Sequence, residues 1–179
     1  SIFDEKIATY TDKLIEQTIE YSKKNYADKG YYLDAINYLK NQAESMDDKT
    51  VYDETIKTYT DKYAEQIIDN AKKSYADNNR FLDGIEYLKN QAENFDDKTV
   101  FDKTITEYEG LYSDDLIKKA ETEIKDNDNL EGAIKMLEDA KENIKDTKKL
   151  DDKLKELYEL AIDNDLAEAK GAIDAKNYY

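Results

Sequence analysis

The feature that most constrains this chain is an internal repeat with a period of 49 residues. The sequence YTDK at 10–13 returns at 59–62, and YLKNQAE at 38–44 returns at 87–93. A third, more divergent segment keeps the apolar register, as in Leu137, which follows Leu88 by the same interval. Periods of roughly 20 to 50 residues are typical of repeat arrays in which each unit stacks on its neighbours.

The same register divides the chain into repeats 1–49, 50–98 and 99–147 and a partial repeat at 148–179. Matching apolar positions in the divergent third segment argue against duplication of a sequence without a repeat fold. We therefore predict a single helical repeat array over residues 1–179. Because the chain stops inside its fourth repeat, we also expect it to be a fragment of a longer protein.

Apolar residues within each repeat recur every three or four positions, as on one face of an α-helix. The second repeat has neither Gly nor Pro between 51 and 77, which predicts one long helix of roughly 25 residues there. Its stripe consists of Tyr52, Ile56, Tyr59, Tyr63, Ile67 and Ala71. A shorter helix of roughly 15 residues should follow. Its stripe consists of Leu82, Ile85, Leu88, Ala92 and Phe95, or in the first repeat of Leu33, Ile36, Leu39, Ala43 and Met46.

Neither helix can bury its stripe alone, so successive hairpins should stack. The predicted fold is all-α, a right-handed α-solenoid of antiparallel long–short helix hairpins with about 3.5 repeats. Capping boxes are expected where a hydroxyl residue precedes an Asp by three positions. These are Ser1 with Asp4, Thr50 with Asp53 and Thr99 with Asp102. The long helices should stop near Lys29-Gly30 and Asn78-Asn79.

The segments YLDAINYL at 32–39 and NLEGAIKML at 129–137 resemble the second helix of a tetratricopeptide repeat. The final residues 175–179 resemble the turn before such a helix. The family period is 34 residues, so this chain would carry a first helix about four turns longer. The chain also departs from the family pattern at several sites and lacks Pro. These departures are Lys23, Lys72 and Glu121 in place of a small residue, and Gln42 and Gln91 in place of Ala.

The resemblance implies binding of a protein or peptide, usually in a concave groove lined by the first helices. The candidate groove residues are polar positions off the packing stripe: Gln17, Glu20, Lys24, Gln66, Asp69 and Lys73. The alternative is that these residues form solvated i,i+4 ion pairs on an exposed helix. Three-helix modules of bacterial surface proteins, such as albumin-binding domains, have similar unit lengths and are the alternative architecture.

The composition excludes several chemistries and opposes others. The chain has no His and no Cys, which excludes imidazole or thiolate zinc ligands, Ser-His-Asp catalysis and Cys nucleophiles. Its net charge of −16 opposes binding to nucleic acids and anionic membranes. No apolar stretch is long enough to insert into a membrane. No carboxylate lies beside a nucleophile, so we predict neither an enzyme nor a cofactor.

Two further patterns suggest sites but have simpler explanations. An EF-hand-like spacing occurs at Asn127, Asn129, Glu131, Gly132 and Glu138, but the first ligand should be Asp, and no metal site is predicted. The chain also has 16 tyrosines, several at constant register, such as Tyr10, Tyr59 and Tyr108. We interpret these as packing residues with buried rings and hydrated hydroxyl groups rather than as ligand-stacking residues.

The leading hypothesis is a non-catalytic scaffold that binds a protein or peptide of unknown identity. The alternatives are an acidic spacer or stalk of a bacterial surface protein, and the sensor part of a larger protein. The Asn-, Lys-, Asp-, Ile- and Tyr-rich composition resembles that of low-GC Gram-positive bacteria (Firmicutes). The spacer hypothesis would place the chain in an extracytoplasmic or cell-surface region of such a bacterium. The last helix keeps a full apolar stripe: Leu154, Leu157, Ile162, Leu166, Ala169 and Ile173. One side of this helix should pack on the third repeat and the other should face water, which suggests homo-oligomerisation through the uncovered side.

Overall fold

The computed structural model describes residues 2–176, which contain seven α-helices, three short 3-10 turns and no β-strand. The predicted cap at Ser1 and the predicted turn at 177–179 lie outside the described residues. The all-α class is confirmed. The helices are α1 (Ile2–Asn25), α2 (Tyr32–Ala43), α3 (Asp53–Ser74), α4 (Phe81–Ala92), α5 (Thr99–Asn127), α6 (Leu130–Ala140) and α7 (Lys148–Lys176).

Long and short helices alternate along the chain. The long helices have 22 to 29 residues and the short ones 11 or 12. The uninterrupted run 51–77 contains one long helix, as predicted from its lack of Gly and Pro. The chain forms two compact units, Ser1–Asn70 and Ala71–Tyr179, and the boundary between them falls within α3.

The first two long helices end in the same way, 49 residues apart. A 3-10 turn follows each helix, at Ala27–Lys29 and at Ala76–Asn78. The next residue is left-handed in both cases: Gly30 with φ 79° and Asn79 with φ 57°. Gly and Asn are the residues that adopt this conformation at least cost. The left-handed conformation is confirmed at Gly30, where it was predicted, and Asn79 adopts it as well. Each α-helix ends about one turn earlier than expected.

The predicted capping boxes are wrong at the two described sites. The Thr50 hydroxyl and amide both donate to the Asp48 carboxylate, at 2.7 and 2.9 Å, and α3 begins only at Asp53. Thr99 donates to Asp97 in the same way, at 2.6 and 2.9 Å. Each threonine therefore donates to the Asp carboxylate two residues before it and does not cap the helix, because Asp readily accepts hydrogen bonds from the backbone two residues on.

The core of the first unit joins α2 to α1 and to the start of α3. Its buried residues are Ala27, Ala35, Ile36, Leu39, Ala43, Tyr52 and Tyr59. Ile15, Ile19 and Ile56 pack against this cluster from the two long helices. Ile36, Leu39 and Ala43 of the predicted stripe are buried, whereas Leu33 is about half exposed. The packing face of α2 is therefore the predicted one without Leu33, and Ala35 is buried beside it.

In the second unit, α5 packs against α4, α6 and α7, and α6 packs against α7. The short helices bury Leu88 and Leu137 completely, and α5 buries Phe101 and Ala120. Buried leucines at the start of α7 complete this core: Leu150, Leu154 and Leu157. Each short helix of this unit thus places its apolar residues against the long helix that follows it.

Candidate binding surface

The candidate groove residues of α1 form one exposed polar surface. Gln17, Glu20 and Lys24 follow each other at spacings of three and four and so lie on one face of the helix. Lys24 Nζ lies 3.1 Å from Glu20 Oε1, in an ion pair whose side chains are both exposed. With Glu16, Tyr21 and Asn25, these residues line an open depression of about 540 Å³.

A cluster of three tyrosines supports this depression. The Tyr21 ring lies 5.2 Å from the Tyr38 ring and 6.4 Å from the Tyr26 ring, measured between centroids. Tyr26 and Tyr38 complete the cluster at 5.7 Å, which joins α1 to α2. Burial raises the pKa of the Tyr38 hydroxyl, and its tyrosine neighbours add to the shift. Tyr21 is half-exposed, so the depression offers an aromatic face beside a carboxylate and an ammonium group.

The other three candidate residues lie on α3 and are also exposed: Gln66, Asp69 and Lys73. Gln66 and Asp69 belong to the first unit, whereas Lys73 belongs to the second. A Cβ atom added at Gly30 would lie 3.6 Å from Gln66 Nε2, so the turn after α1 approaches this side chain. The structure thus places all six candidate residues on solvated helix faces, but it shows an ion pair of the expected kind only between Glu20 and Lys24.

The second unit has a related aromatic pair. Tyr75 and Tyr87 lie 5.4 Å apart, 49 residues after Tyr26 and Tyr38. The Arg80 guanidinium lies 5.3 Å from the Tyr75 ring, within the range of a cation–π contact. At the position that follows Tyr21 by 49 residues, the chain has Asn70. The aromatic position of Tyr21 is therefore not repeated in α3.

The tyrosines at constant register do not behave alike. Tyr59 and Tyr108 are buried, as predicted for packing residues, and burial raises the pKa of both hydroxyl groups. The Tyr108 hydroxyl does not lie at the surface as expected, because it is buried, and it has no hydrogen-bond partner among the described residues. Tyr10 was also interpreted as a packing residue, but 71% of its surface is exposed.

Tyr10 belongs to a larger apolar surface that the sequence analysis did not identify. Phe3, Ile7, Tyr10 and Leu14 follow a spacing of three and four along α1, and all are exposed. We call this surface the α1 stripe. The sequence signal was present, because these residues match the packing stripes of later helices. Sequence alone could not show that this one lacks a partner in the described chain.

The residues with EF-hand-like spacing form a helix cap. The Asn129 side chain accepts a hydrogen bond from the Gly132 amide at 2.9 Å, which caps α6. A Cβ atom on residue 132 would lie only 2.2 Å from the Asn129 amide nitrogen, so a larger residue here would displace the Asn129 side chain from its capping position. The Glu123 carboxylate accepts bonds from Asn127 and Asn129, both at 2.7 Å, and these bonds lower its pKa. In the described chain, no three metal-ligating side chains come together.

A buried carboxylate that the sequence did not reveal joins α5 to the turn before α7. Glu109 is almost fully buried, and its two oxygens accept the amides of Lys145 and Asp146 at 3.2 Å. Nearby, Lys149 Nζ reaches the Asp114 carboxylate at 2.7 Å. These bonds satisfy the free amides at a helix start, which gives Glu109 a structural role.

The last helix has a buried part followed by an exposed part. Leu154 and Leu157 pack in the second unit, whereas Ile162, Leu166 and Ile173 are exposed. The Tyr158 hydroxyl donates to the Glu138 carboxylate, a bond that raises the pKa of Tyr158. Exposed apolar side chains therefore occur both on α1 and on the final turns of α7.

Comparisons with known proteins give no match to a protein-family model, a curated protein or a solved structure. Within residues 2–176, no helix combines the length and apolar character needed to cross a membrane.

Proposed function

We propose that this chain is a non-catalytic, tetratricopeptide-like scaffold that binds a protein or peptide segment through the polar face of its long helices. The architecture that goes with this function is a right-handed α-solenoid of about 3.5 repeats of 49 residues. The alternation of long and short helices along the chain supports this architecture. The family resemblance supplies the class of function, and the surface chemistry must supply the specificity.

The observation that carries the proposal is the depression on α1. It combines the exposed carboxylates of Glu16 and Glu20, the Lys24 ammonium and the half-exposed Tyr21 ring. Aromatic rings supply contact area at low entropy cost, and flanking polar groups fix orientation. With a net charge of −16, the chain attracts cationic partners, so we propose a basic peptide segment as the ligand.

The test is to pan a phage-displayed library of random dodecapeptides on the immobilised full chain and to titrate the enriched peptides in solution. We expect basic, aromatic-containing peptides whose affinity falls about tenfold in Glu20→Lys. Glu5→Lys is the matched control, because it makes the same charge change at another α1 position outside the depression.

Two results would contradict the proposal. One is a library without enrichment, which would favour the acidic spacer. The other is an equal loss of affinity in Glu20→Lys and Glu5→Lys, which would mean that the peptides respond to net charge and not to this surface. Circular dichroism of both variants checks that the helices are retained.

A further inference from the structure

The α1 stripe corresponds, position by position, to surfaces that are covered elsewhere in the chain. At an interval of 49 residues, Phe3 and Tyr10 correspond to Tyr52 and Tyr59, which are 1% and 6% exposed. Phe3 and Tyr10 themselves are 78% and 71% exposed. The same positions are buried after two further intervals: Phe101, Tyr108, Leu150 and Leu157.

In each covered case, a short helix occupies the surface. Tyr52 and Tyr59 share the core of the first unit with Leu39 and Ala43 of α2. Likewise, α4 packs against α5, which carries Phe101 and Tyr108, and α6 packs against α7. In all three cases, therefore, the apolar surface of a long helix is covered by the short helix that precedes it in the chain.

The three short helices share a sequence pattern that explains the fit. Each has a buried small residue, then Ile, then a fully buried Leu three residues later: Ala35-Ile36 with Leu39, Gly84-Ile85 with Leu88, and Ala133-Ile134 with Leu137. At Gly84 the small residue makes room for an aromatic ring of the following long helix, because an added Cβ atom would lie 3.0 Å from the ring of Tyr108.

We propose that the α1 stripe is a docking site for a short amphipathic helix from another polypeptide, with the pattern small-Ile-x-x-Leu on its apolar face. Tyr10 receives the small residue as Tyr108 receives Gly84. Lys6 and Lys13, each three residues after an aromatic residue of the stripe, border one edge of it, whereas Glu5, Asp12 and Glu16 lie on the opposite face of α1. Acidic residues on the adjoining flank of the incoming helix therefore strengthen the complex. This helix-in-groove mode differs from peptide binding in the polar depression.

The probe is a fluorescently labelled synthetic peptide with the sequence of residues 80–95, titrated by anisotropy against the full chain. The titration extends to about 1 mM, because a short helix is largely unfolded in water and its folding reduces the affinity. We expect saturable binding to the natural chain and at least about tenfold weaker binding to Ile7→Asp. Ile7 is exposed, so this substitution leaves the fold intact.

The matched control is Thr9→Asp, which adds the same charge at an exposed position on α1 away from the stripe and should change the affinity less than twofold. A second control is the same peptide with Leu88→Asp, which removes the apolar anchor and should not bind. The proposal is overturned by a peptide that fails to bind or by equal effects of Ile7→Asp and Thr9→Asp. Sedimentation velocity tests whether the chain self-associates. Self-association that Ile7→Asp abolishes would mean that a second copy of the chain covers the stripe, and it would also overturn the proposal.

This site and the polar depression can be tested separately. Glu20→Lys should leave the affinity for the residue 80–95 peptide within twofold, because Glu20 is not part of the stripe. If Glu20→Lys or Ile7→Asp weakened the binding of both the library-derived peptides and the residue 80–95 peptide, the two surfaces would be one site. That result would overturn this inference and leave the proposed function standing.

Discussion

The starts of α1 and α3 carry nearly the same apolar pattern, yet one faces solvent and the other lies in a core. Phe3, Ile7 and Tyr10 have the spacing of Tyr52, Ile56 and Tyr59. Within the first unit, α2 covers the second set, and no described residue covers the first to a similar extent. The apolar pattern of a helix thus predicts which side is able to pack, and a neighbouring element decides whether it does.

The difference also separates two roles for the same residue type. A buried aromatic ring contributes the free energy of its removal from water, whereas an exposed ring contributes little to folding and is available for binding. The comparison between α1 and its later counterparts is therefore open to direct measurement.

Hydrogen exchange should show the largest contrast. The final turns of α7, residues 160–176, carry exposed apolar side chains, and we expect their amides to exchange after local opening at a cost near zero. Residues 82–92 of α4 are packed and should open only at a cost of about 5 kcal/mol or more, near the global unfolding free energy. Equal protection of both segments in a dilute monomer would show that the C-terminal helix is held by contacts other than those seen here.

Two phenylalanines test the buried and exposed stripes directly. Phe101→Ala should lower the unfolding free energy by about 3–5 kcal/mol, because the side chain is fully buried. Phe3→Ala should change it by less than about 0.5 kcal/mol, since that ring is exposed. Urea denaturation followed by circular dichroism measures both. A large loss in Phe3→Ala would mean that the α1 stripe is covered in solution.

The short-helix face has its own matched pair. Leu88→Ala should cost about 2–5 kcal/mol, the range for truncating a buried Leu. Lys89→Ala, one residue further on and exposed, should stay within about 0.5 kcal/mol. Similar urea midpoints for the two variants would show that the packing face of α4 is assigned to the wrong side of the helix.

The smallest expected effect is a stabilisation at Tyr108. Tyr108→Phe should raise the unfolding free energy by about 1 kcal/mol, because it removes a buried hydroxyl that has no partner among the described residues. Tyr10→Phe is the control and should be neutral, as its exposed hydroxyl is hydrated in both states. Destabilisation by Tyr108→Phe would indicate that a water molecule satisfies that hydroxyl in solution.

Part of the candidate site could be predicted from the sequence. Gln17, Glu20 and Lys24 were assigned to one exposed face, and they lie on one. The aromatic cluster behind them was not predicted, because its rings come from α1 and α2 and their contact depends on how the two helices pack. Glu109 was missed for a related reason, since its partners are backbone amides 36 and 37 residues away.

The helical class, the alternation of long and short helices and the left-handed residue after α1 follow from the sequence alone. These features depend on side-chain periodicity, on the scarcity of Gly and the absence of Pro in the long helical runs and on the local tolerance of Gly30 for positive φ. Tertiary packing is what buries Tyr59 and leaves Tyr10 exposed, whereas the bonds from Thr50 to Asp48 and from Thr99 to Asp97 are local contacts between residues two apart. Burial depends on which segments meet in space, and a local pattern records only what a segment is able to do when they meet.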